Sequence, residues 1–279
     1  MIRVVTDSSC DLPAEVSATH RIEIVPLSIR FGDREYADRI DLTPDEFWDK
    51  LKTSSDLPET SAPSAGDFRE RFASLADEGA DGILAICLSS RLSATYQAAV
   101  IAAEQTATIP VKVVDSRNVS MAFGFQVLEA ARAATRGDNL EQVEAAALAA
   151  RDRASFVAAL DTLEYLQRGG RIGTTQAFLG GLLNIKPLIT VENGVVAAVG
   201  RARTRTKALA TLVERAGQLG SRVEEVAILT GDSPDVEAFR EQLSTVIPVH
   251  LIANIGPIVG THSGPGVLGI AYRLSSASR

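Results

Sequence analysis

The sequence predicts an α/β fold with two domains: an N-terminal three-layer domain around a parallel sheet, and a C-terminal α/β domain with a mixed or antiparallel sheet. In the first half of the chain, apolar strands, polar turns and helices recur in one order, which is typical of parallel βαβ units. In the second half, two alternating apolar segments flank Asn193-Gly194, a dipeptide typical of tight β-hairpins, and hairpin strands are antiparallel. The change of pattern predicts domains at 1–153 and 154–279.

Composition excludes several classes of protein. The 279 residues suffice for one large or two modest domains with real cores. The net charge of -7 argues against nucleic acid or an anionic membrane as the main partner. No signal peptide or membrane-spanning apolar run is present, so we expect a cytoplasmic protein without stable membrane insertion. Cys10 and Cys87 are too few for a disulfide framework and lack metal-ligand spacing, so we expect reduced thiols and no metal site.

The first half is predicted to alternate strands and helices. Thr43-Pro44-Asp45-Glu46 supplies an N-cap, a proline at the first helical position and a capping box. The continuous apolar run at 82–88 indicates a strand covered on both faces. The predicted strands are 2–6, 24–31, 82–88 and 111–114, and the predicted helices are 14–19, one from 44, one from 64, one ending near 106, 121–135 and 140–152.

The second half is predicted to contain strands at 155–160, 187–191, 195–199, 226–229 and 249–252, a helical turn at 163–166, and helices at 208–218 and 235–244. Leu179, Leu182 and Leu183 are predicted to form an apolar helix face. A glycine-rich stretch at 255–269 places His262 on a loop before a helix that Pro265 begins, where a helix N-terminus opposes protonation.

Thr60 and Ser61 are candidates for binding an anion. Pro63 disfavours helix at the residue before it, and Ser64 with Asp67 forms a capping-box pair that starts a helix. The two hydroxyls are therefore predicted on a turn at the mouth of this helix, where backbone N–H groups favour an anion. Hydroxyls donate to a carboxylate without neutralising it. The alternative is that they only cap the turn.

Other polar residues follow predicted strands. Asp7, Ser8 and Ser9 follow the first strand and are candidates to support a site, and the hydroxyl cluster at 89–97 follows the third strand. In open α/β sheets, ligands bind beyond the carboxyl ends of the strands, although such residues also cap helices. The basic run at 200–207 is either a solvated face or a patch for a phosphate or an acidic partner.

Enzyme chemistry has little support in the sequence. The chain lacks a G-x-S-x-G elbow, a phosphate loop and a metal-ligand cluster. The open alternative is a hydrolase of acyl esters that pairs Ser93 or Cys10 with His262.

Six motifs together resemble the DegV family of fatty-acid-binding proteins, nearly from end to end. They are T-D-S-S-C-D-L-P at 6–13, T-S-A-P-S at 60–64, S-S-R-L-S-A-T-Y-Q at 89–97, L-E-Y-L-Q-R-G-G-R-I-G at 163–173, G-R-A-R-T-R-T-K-A at 200–208 and G-T-H-S-G-P-G at 260–266. The resemblance implies a two-domain carrier, not an enzyme, that holds one long-chain fatty acid in an apolar tunnel and needs no cofactor. It also implies presentation to a dihydroxyacetone-kinase-like fatty acid kinase, which forms an acyl phosphate for phospholipid synthesis.

The resemblance also implies roles for individual residues. The carboxylate, at the domain interface, would be bound by Thr60, Ser61, Ser93 and His262, with the choice between Thr60 and Ser61 left open. Supporting residues would be Ser8, Ser9, Thr95, Arg168, Arg171 and Gly264, and a partner-facing basic patch would be Arg201, Arg203 and Arg205. The chain departs from the family pattern at Ala94, usually glycine, and at Ala62, more often glutamine.

Overall fold

The computed structural model describes residues 1–54, 56–178 and 185–276. The strands are Ile2–Asp7 (β1), Ile22–Val25 (β2), Ser28–Phe31 (β3), Arg34–Ala37 (β4), Glu59–Ser61 (β5), Gly82–Cys87 (β6), Val111–Asp115 (β7), Ala154–Ala159 (β8), Lys186–Glu192 (β9), Val195–Ala202 (β10), Val223–Gly231 (β11), Leu251–Asn254 (β12) and Val267–Leu274 (β13). The α-helices are Ala14–Thr19 (α1), Pro44–Thr53 (α2), Ala65–Asp77 (α3), Thr95–Gln105 (α4), Ser120–Thr135 (α5), Leu140–Arg151 (α6), Glu164–Arg168 (α7), Arg205–Leu219 (α8), Val236–Ser244 (α9) and Pro257–Ser263 (α10). The predicted face of Leu179, Leu182 and Leu183 lies outside the described residues.

The first sheet is parallel and has helices on both faces, as predicted. Its strand order is β2-β1-β6-β7. All six residues of β6 are buried because its alternate side chains face opposite helix layers. Ile83 and Ala85 join a core with Phe68 of α3, whereas Leu84 and Ile86 join the core that contains α5 and α6.

The predicted strand at 24–31 is wrong, because the chain forms two strands there. β2 belongs to the parallel sheet, and β3 is the middle strand of a separate antiparallel sheet with order β4-β3-β5. The break falls at Pro26, and proline cannot donate a ladder hydrogen bond. Thr60 and Ser61 therefore lie on β5, paired with β3, and the predicted turn is wrong. The predicted cap is confirmed, since Ser64 and Asp67 form a capping box at the start of α3.

The second sheet is mixed, with order β10-β9-β8-β13-β11-β12. Its pairs are antiparallel except for β11 with β12. The predicted hairpin is confirmed: Asn193 and Gly194 connect β9 to β10, both with positive φ, as a type I′ turn requires. The central strand β13 was missed, because the sequence prediction placed 267–269 in the glycine-rich loop.

Helix α5 packs between the two large sheets. Thirteen of its 16 residues are buried, because it packs against β1 on one side and against β8 and β13 on the other. The far face of the second sheet packs against α8 and α9 through Leu212 and Phe239. The layers therefore run from α3 and α4 through the first sheet, α5 and α6, and the second sheet to α8 and α9. The domain boundary at 153/154 falls where β8 begins and stays a prediction.

Candidate ligand-binding site

An apolar cavity of about 210 Å³ lies between the two halves of the chain. The second sheet lines it with Phe156, Ile189 and Val191, and α10 lines it with Ile258 and Val259. Two grooves that are more polar than the cavity adjoin it, and each shares lining residues with it. Because the shared residues mark where the cavity meets the grooves, its polar mouth is formed mainly by Thr60, Ser93, Arg171 and His262.

His262 lies in the last turn of α10 and not on a loop before a helix, so that prediction is wrong. Pro257 occupies the start of the helix, and Gly264, at φ +74°, ends it. Burial first, and then the charge of Arg171, lowers the pKa of His262 to about 4. The imidazole is therefore neutral at neutral pH, because of burial and not because of a helix N-terminus.

The His262 ring is positioned by contacts on both of its nitrogens. Nε2 lies 3.0 Å from the hydroxyl oxygen of Thr60 on β5. Nδ1 is buried and has no hydrogen-bond partner among the described residues. It lies against Gly169, where a Cβ atom would overlap Nδ1. Gly169 thus makes room for the ring.

Thr60 and Ser61 both line the cavity but differ in exposure. Thr60 is partly buried and faces His262, whereas Ser61 is exposed. Successive residues of a strand point to opposite faces, so only one of the two side chains faces His262. Thr60 is the better placed of the pair.

Ser93 lies at the mouth on the loop between β6 and α4. Its Oγ is 2.9 Å from Oγ1 of the buried Thr95 and accepts a hydrogen bond from the backbone N–H of Thr95 at 3.3 Å. Thr95 therefore orients the Ser93 hydroxyl. The same loop is tied to the second half of the chain, because the Ser89 hydroxyl donates to the carbonyl of Gly194 at 2.7 Å.

The geometry does not support a nucleophile with a general base. The Ser93 hydroxyl forms a hydrogen bond with Thr95, and His262 forms one with Thr60. Among the described contacts, Ser93 and His262 therefore lack the hydrogen bond through which a histidine activates a serine. Burial raises the pKa of Cys10 to about 12, so its thiol is unreactive. Among the described residues, no group of His, Cys, Asp or Glu side chains could hold a metal ion.

The supporting residues have distinct surroundings. Arg171 lines the mouth and donates to the carbonyls of Leu92 and Gly169. Arg168 is exposed, pairs with Glu164 and lines one outer groove. Gly264 packs against the ring of Tyr165, where any Cβ atom would overlap it.

Ser8 and Ser9 act through other residues and do not line the cavity. Ser8 accepts a hydrogen bond from the N–H of Leu27, a lining residue. Ser9 donates to Asp7, which in turn accepts from the N–H of Leu88, another lining residue. These hydrogen bonds fix the backbone of two residues that line the cavity.

Three buried carboxylates lie near the cavity wall, and of these Asp7 was a predicted supporting residue, whereas Asp11 and Asp38 were missed. Asp11 accepts from the Ser120 hydroxyl and the Gly256 N–H, which joins α5 to α10. Burial raises the pKa of Asp7 to about 6 and that of Asp38 to about 7. Asp7 and Asp11 lie in the motif at 6–13, but no spacing in the sequence relates Asp11 to Gly256.

Of the three arginines in the predicted basic patch, two are exposed and the third forms ion pairs within the fold. Arg201 and Arg203 are exposed, and the guanidinium of Arg201 lies 5.6 Å from the ring centre of Phe178. Arg205 instead pairs with Asp161 and Asp235, which compensates its charge within the fold. Arg205 is therefore a structural residue.

The fold and the cavity define an α/β protein whose cavity has apolar walls and a mouth with hydroxyl and imidazole groups, features typical of small-molecule sites. A family model described as "Uncharacterised protein, DegV family" matches residues 1–274. The chain belongs to the DegV family.

Individual relatives cover nearly the whole chain. A DegV domain-containing protein of Streptomyces coelicolor is 36% identical over 278 residues, covering 96% of this chain and 97% of the relative. A Thermus thermophilus DegV family structure, described for its fatty acid binding, is 36% identical with a TM-score of 0.89, covering 98% of this chain and 99% of the other. A stearic-acid-binding protein of Eubacterium ventriosum is 26% identical with a TM-score of 0.90, covering 98% of each chain. None of the described helices is long and apolar enough to cross a membrane.

Proposed function

We propose that this chain binds one long-chain fatty acid in the apolar cavity, with the carboxylate at the mouth near Thr60, Ser61, Ser93 and His262. The observation that carries the proposal is the gathering of hydroxyl groups and a neutral imidazole at one end of an otherwise apolar cavity. The fatty acid binding described for the Thermus thermophilus and Eubacterium ventriosum proteins supports it.

The acyl chain supplies most of the affinity. Burying about fourteen methylenes of palmitate at roughly 0.8 kcal/mol each gives on the order of 11 kcal/mol before the costs of association. A hydrogen bond to the charged carboxylate contributes about 1.5–3 kcal/mol. The hydroxyls therefore mainly orient the acid and select for a carboxylate.

The head group is held mainly by neutral donors. When Nε2 of His262 carries its proton, it donates to the Thr60 oxygen and leaves the Thr60 hydroxyl hydrogen free for the carboxylate. Ser93, oriented by Thr95, supplies a second hydroxyl. A carboxylate held this way keeps its negative charge and remains a nucleophile toward a phosphoryl group.

The chain acts in this proposal as a cytoplasmic carrier, and a partner performs the chemistry. That partner is a dihydroxyacetone-kinase-like fatty acid kinase, which phosphorylates the carboxylate to an acyl phosphate for phospholipid synthesis. Arg201 and Arg203 are exposed cations that suit an acidic patch on such a partner.

Native mass spectrometry of the protein purified from cells tests the binding step. We expect a bound mass that matches a long-chain fatty acid. A ligand-free protein that also fails to bind added palmitate or oleate would overturn the proposal. Turnover of acyl esters that is lost in both Ser93→Ala and His262→Ala would instead establish a hydrolase.

A further inference from the structure

Ser263 is a buried polar residue in the wall of the cavity, next to His262. The residue is 8% exposed, and its Oγ has no hydrogen-bond partner among the described residues. Most residues that line the cavity are apolar, including Leu160, Leu166 and Val267. An unpaired buried hydroxyl destabilises a protein, so its presence requires an explanation.

The local backbone does not satisfy this hydroxyl. Serine and threonine near the end of a helix commonly donate to the carbonyl four residues earlier. Thr261 does so, with its Oγ1 2.8 Å from the carbonyl oxygen of Pro257. Ser263 is the last residue of α10, and Gly264 turns the chain away at φ +74°.

We propose that the Ser263 hydroxyl is a further donor to the carboxylate of the bound acid. Ser263 follows His262 directly at the end of α10, so their Cα atoms are about 3.8 Å apart. Both residues line the cavity. A carboxylate offers about four acceptor positions, more than Thr60 and Ser93 fill. This inference rests on the proposed function and adds a donor from the second half of the chain.

Thr190 provides a matched control. Its Oγ1 is also buried and also lacks a partner among the described residues. Ile189 and Val191, its neighbours on β9, line the cavity, so the Thr190 side chain faces away from it. Ser263→Ala and Thr190→Val each remove one unpaired buried hydroxyl, but of the two residues only Ser263 lines the cavity.

The experiment measures stability and binding in delipidated protein. We expect both variants to unfold at a higher urea concentration than the wild type, because each loses an unpaired polar group. Titration with palmitate should show roughly tenfold weaker binding for Ser263→Ala and wild-type binding for Thr190→Val. Titration with the uncharged 1-hexadecanol should show a smaller loss for Ser263→Ala, because a neutral acceptor forms a weaker hydrogen bond.

Three outcomes would overturn the inference while leaving the proposed function intact: unchanged palmitate affinity in Ser263→Ala, equal losses in the two variants, or equal losses of palmitate and hexadecanol binding. Failure of the wild type to bind palmitate would overturn the proposed function itself.

Discussion

The hydroxyl of Thr60 and Nε2 of His262 lie 3.0 Å apart, although 202 positions separate the two residues in the chain. The contact joins β5, in the first half of the chain, to α10, near its end. It places a hydroxyl and a neutral imidazole side by side at the mouth of an apolar cavity. The candidate carboxylate site therefore exists only in the folded chain.

Replacing Thr60 by valine should weaken fatty acid binding and leave the fold intact. Valine has nearly the shape of threonine but lacks the donor, and a hydrogen bond to a charged group is worth about 1.5–3 kcal/mol, so we expect a dissociation constant raised by at least tenfold. Titration calorimetry with palmitate measures the change. Thr60→Ser, which keeps the hydroxyl, should restore most of the affinity, and unchanged binding by Thr60→Val would contradict the assignment.

Replacing Gly169 by alanine should displace His262. The added Cβ atom would overlap Nδ1 and push the ring toward the mouth. With burial reduced, the pKa of His262 should rise above its value of about 4, and palmitate binding should weaken. Histidine titration by NMR measures the first effect. Gly217→Ala is the control: its Cβ would lie 3.7 Å from Val246 in ordinary contact, and neither quantity should change.

Local patterns in the sequence predicted the elements whose signals are contiguous. The capping boxes at Thr43 and Ser64, the apolar strand β6 and the Asn193-Gly194 turn each depend on a few adjacent residues, and all are confirmed. Strand β13 was missed because of two glycines, Gly266 just before the strand and Gly269 within it. Such glycines are typical of a loop when the neighbouring strands are unknown. In the sheet, Gly269 packs directly against β8, where a side chain would overlap its backbone.

Without the family resemblance, the candidate site was predictable only in its residue types. Hydroxyl clusters and His262 stand out in the sequence, but their grouping depends on α10 meeting β5 across the fold. The predicted helix at Pro265 is wrong because Pro257 and Pro265 give the same local signal, and packing decides between them. Asp7 was expected near a site because it follows the first strand, but its grouping with Asp11 and Asp38 could not be predicted, since an isolated aspartate usually lies on the surface.

Replacing Asp38 by asparagine should stabilise the protein more at high pH than at low pH. Burial raises the pKa of Asp38 to about 7, while Arg39 lowers it and Asp11 and Asp7 raise it further. Between pH 4 and pH 7 the folded protein holds a proton that the unfolded chain has lost, so the free energy of unfolding falls as pH rises through this window. Above pH 7 both states are charged and the loss is complete.

Asparagine does not titrate, so the advantage of Asp38→Asn should grow by about 2–3 kcal/mol between pH 5 and pH 8. Urea unfolding at the two pH values measures it. The exposed Asp33→Asn is the control, for which we expect no such growth. A constant difference between Asp38→Asn and the wild type would show that Asp38 is ionised throughout this range.

Replacing Ser89 by alanine should speed the release of a bound fatty acid. The Ser89 hydroxyl joins the β6–α4 loop to the turn of the β9–β10 hairpin, and both segments line the cavity through Ser93 and Val196. The substitution leaves the buried carbonyl of Gly194 without this donor, which costs about 1–3 kcal/mol and loosens the contact between the two halves of the chain.

Transfer of a preloaded fatty acid to excess lipid vesicles measures the release rate. Ser90→Ala is the matched control, because the Ser90 hydroxyl bonds to Asp115 within the first half of the chain. We expect several-fold faster transfer from Ser89→Ala and a wild-type rate from Ser90→Ala. Equal rates for all three proteins would mean that the acid leaves through the groove beside Thr60 and Arg168, since that path does not require the hairpin to separate from the loop.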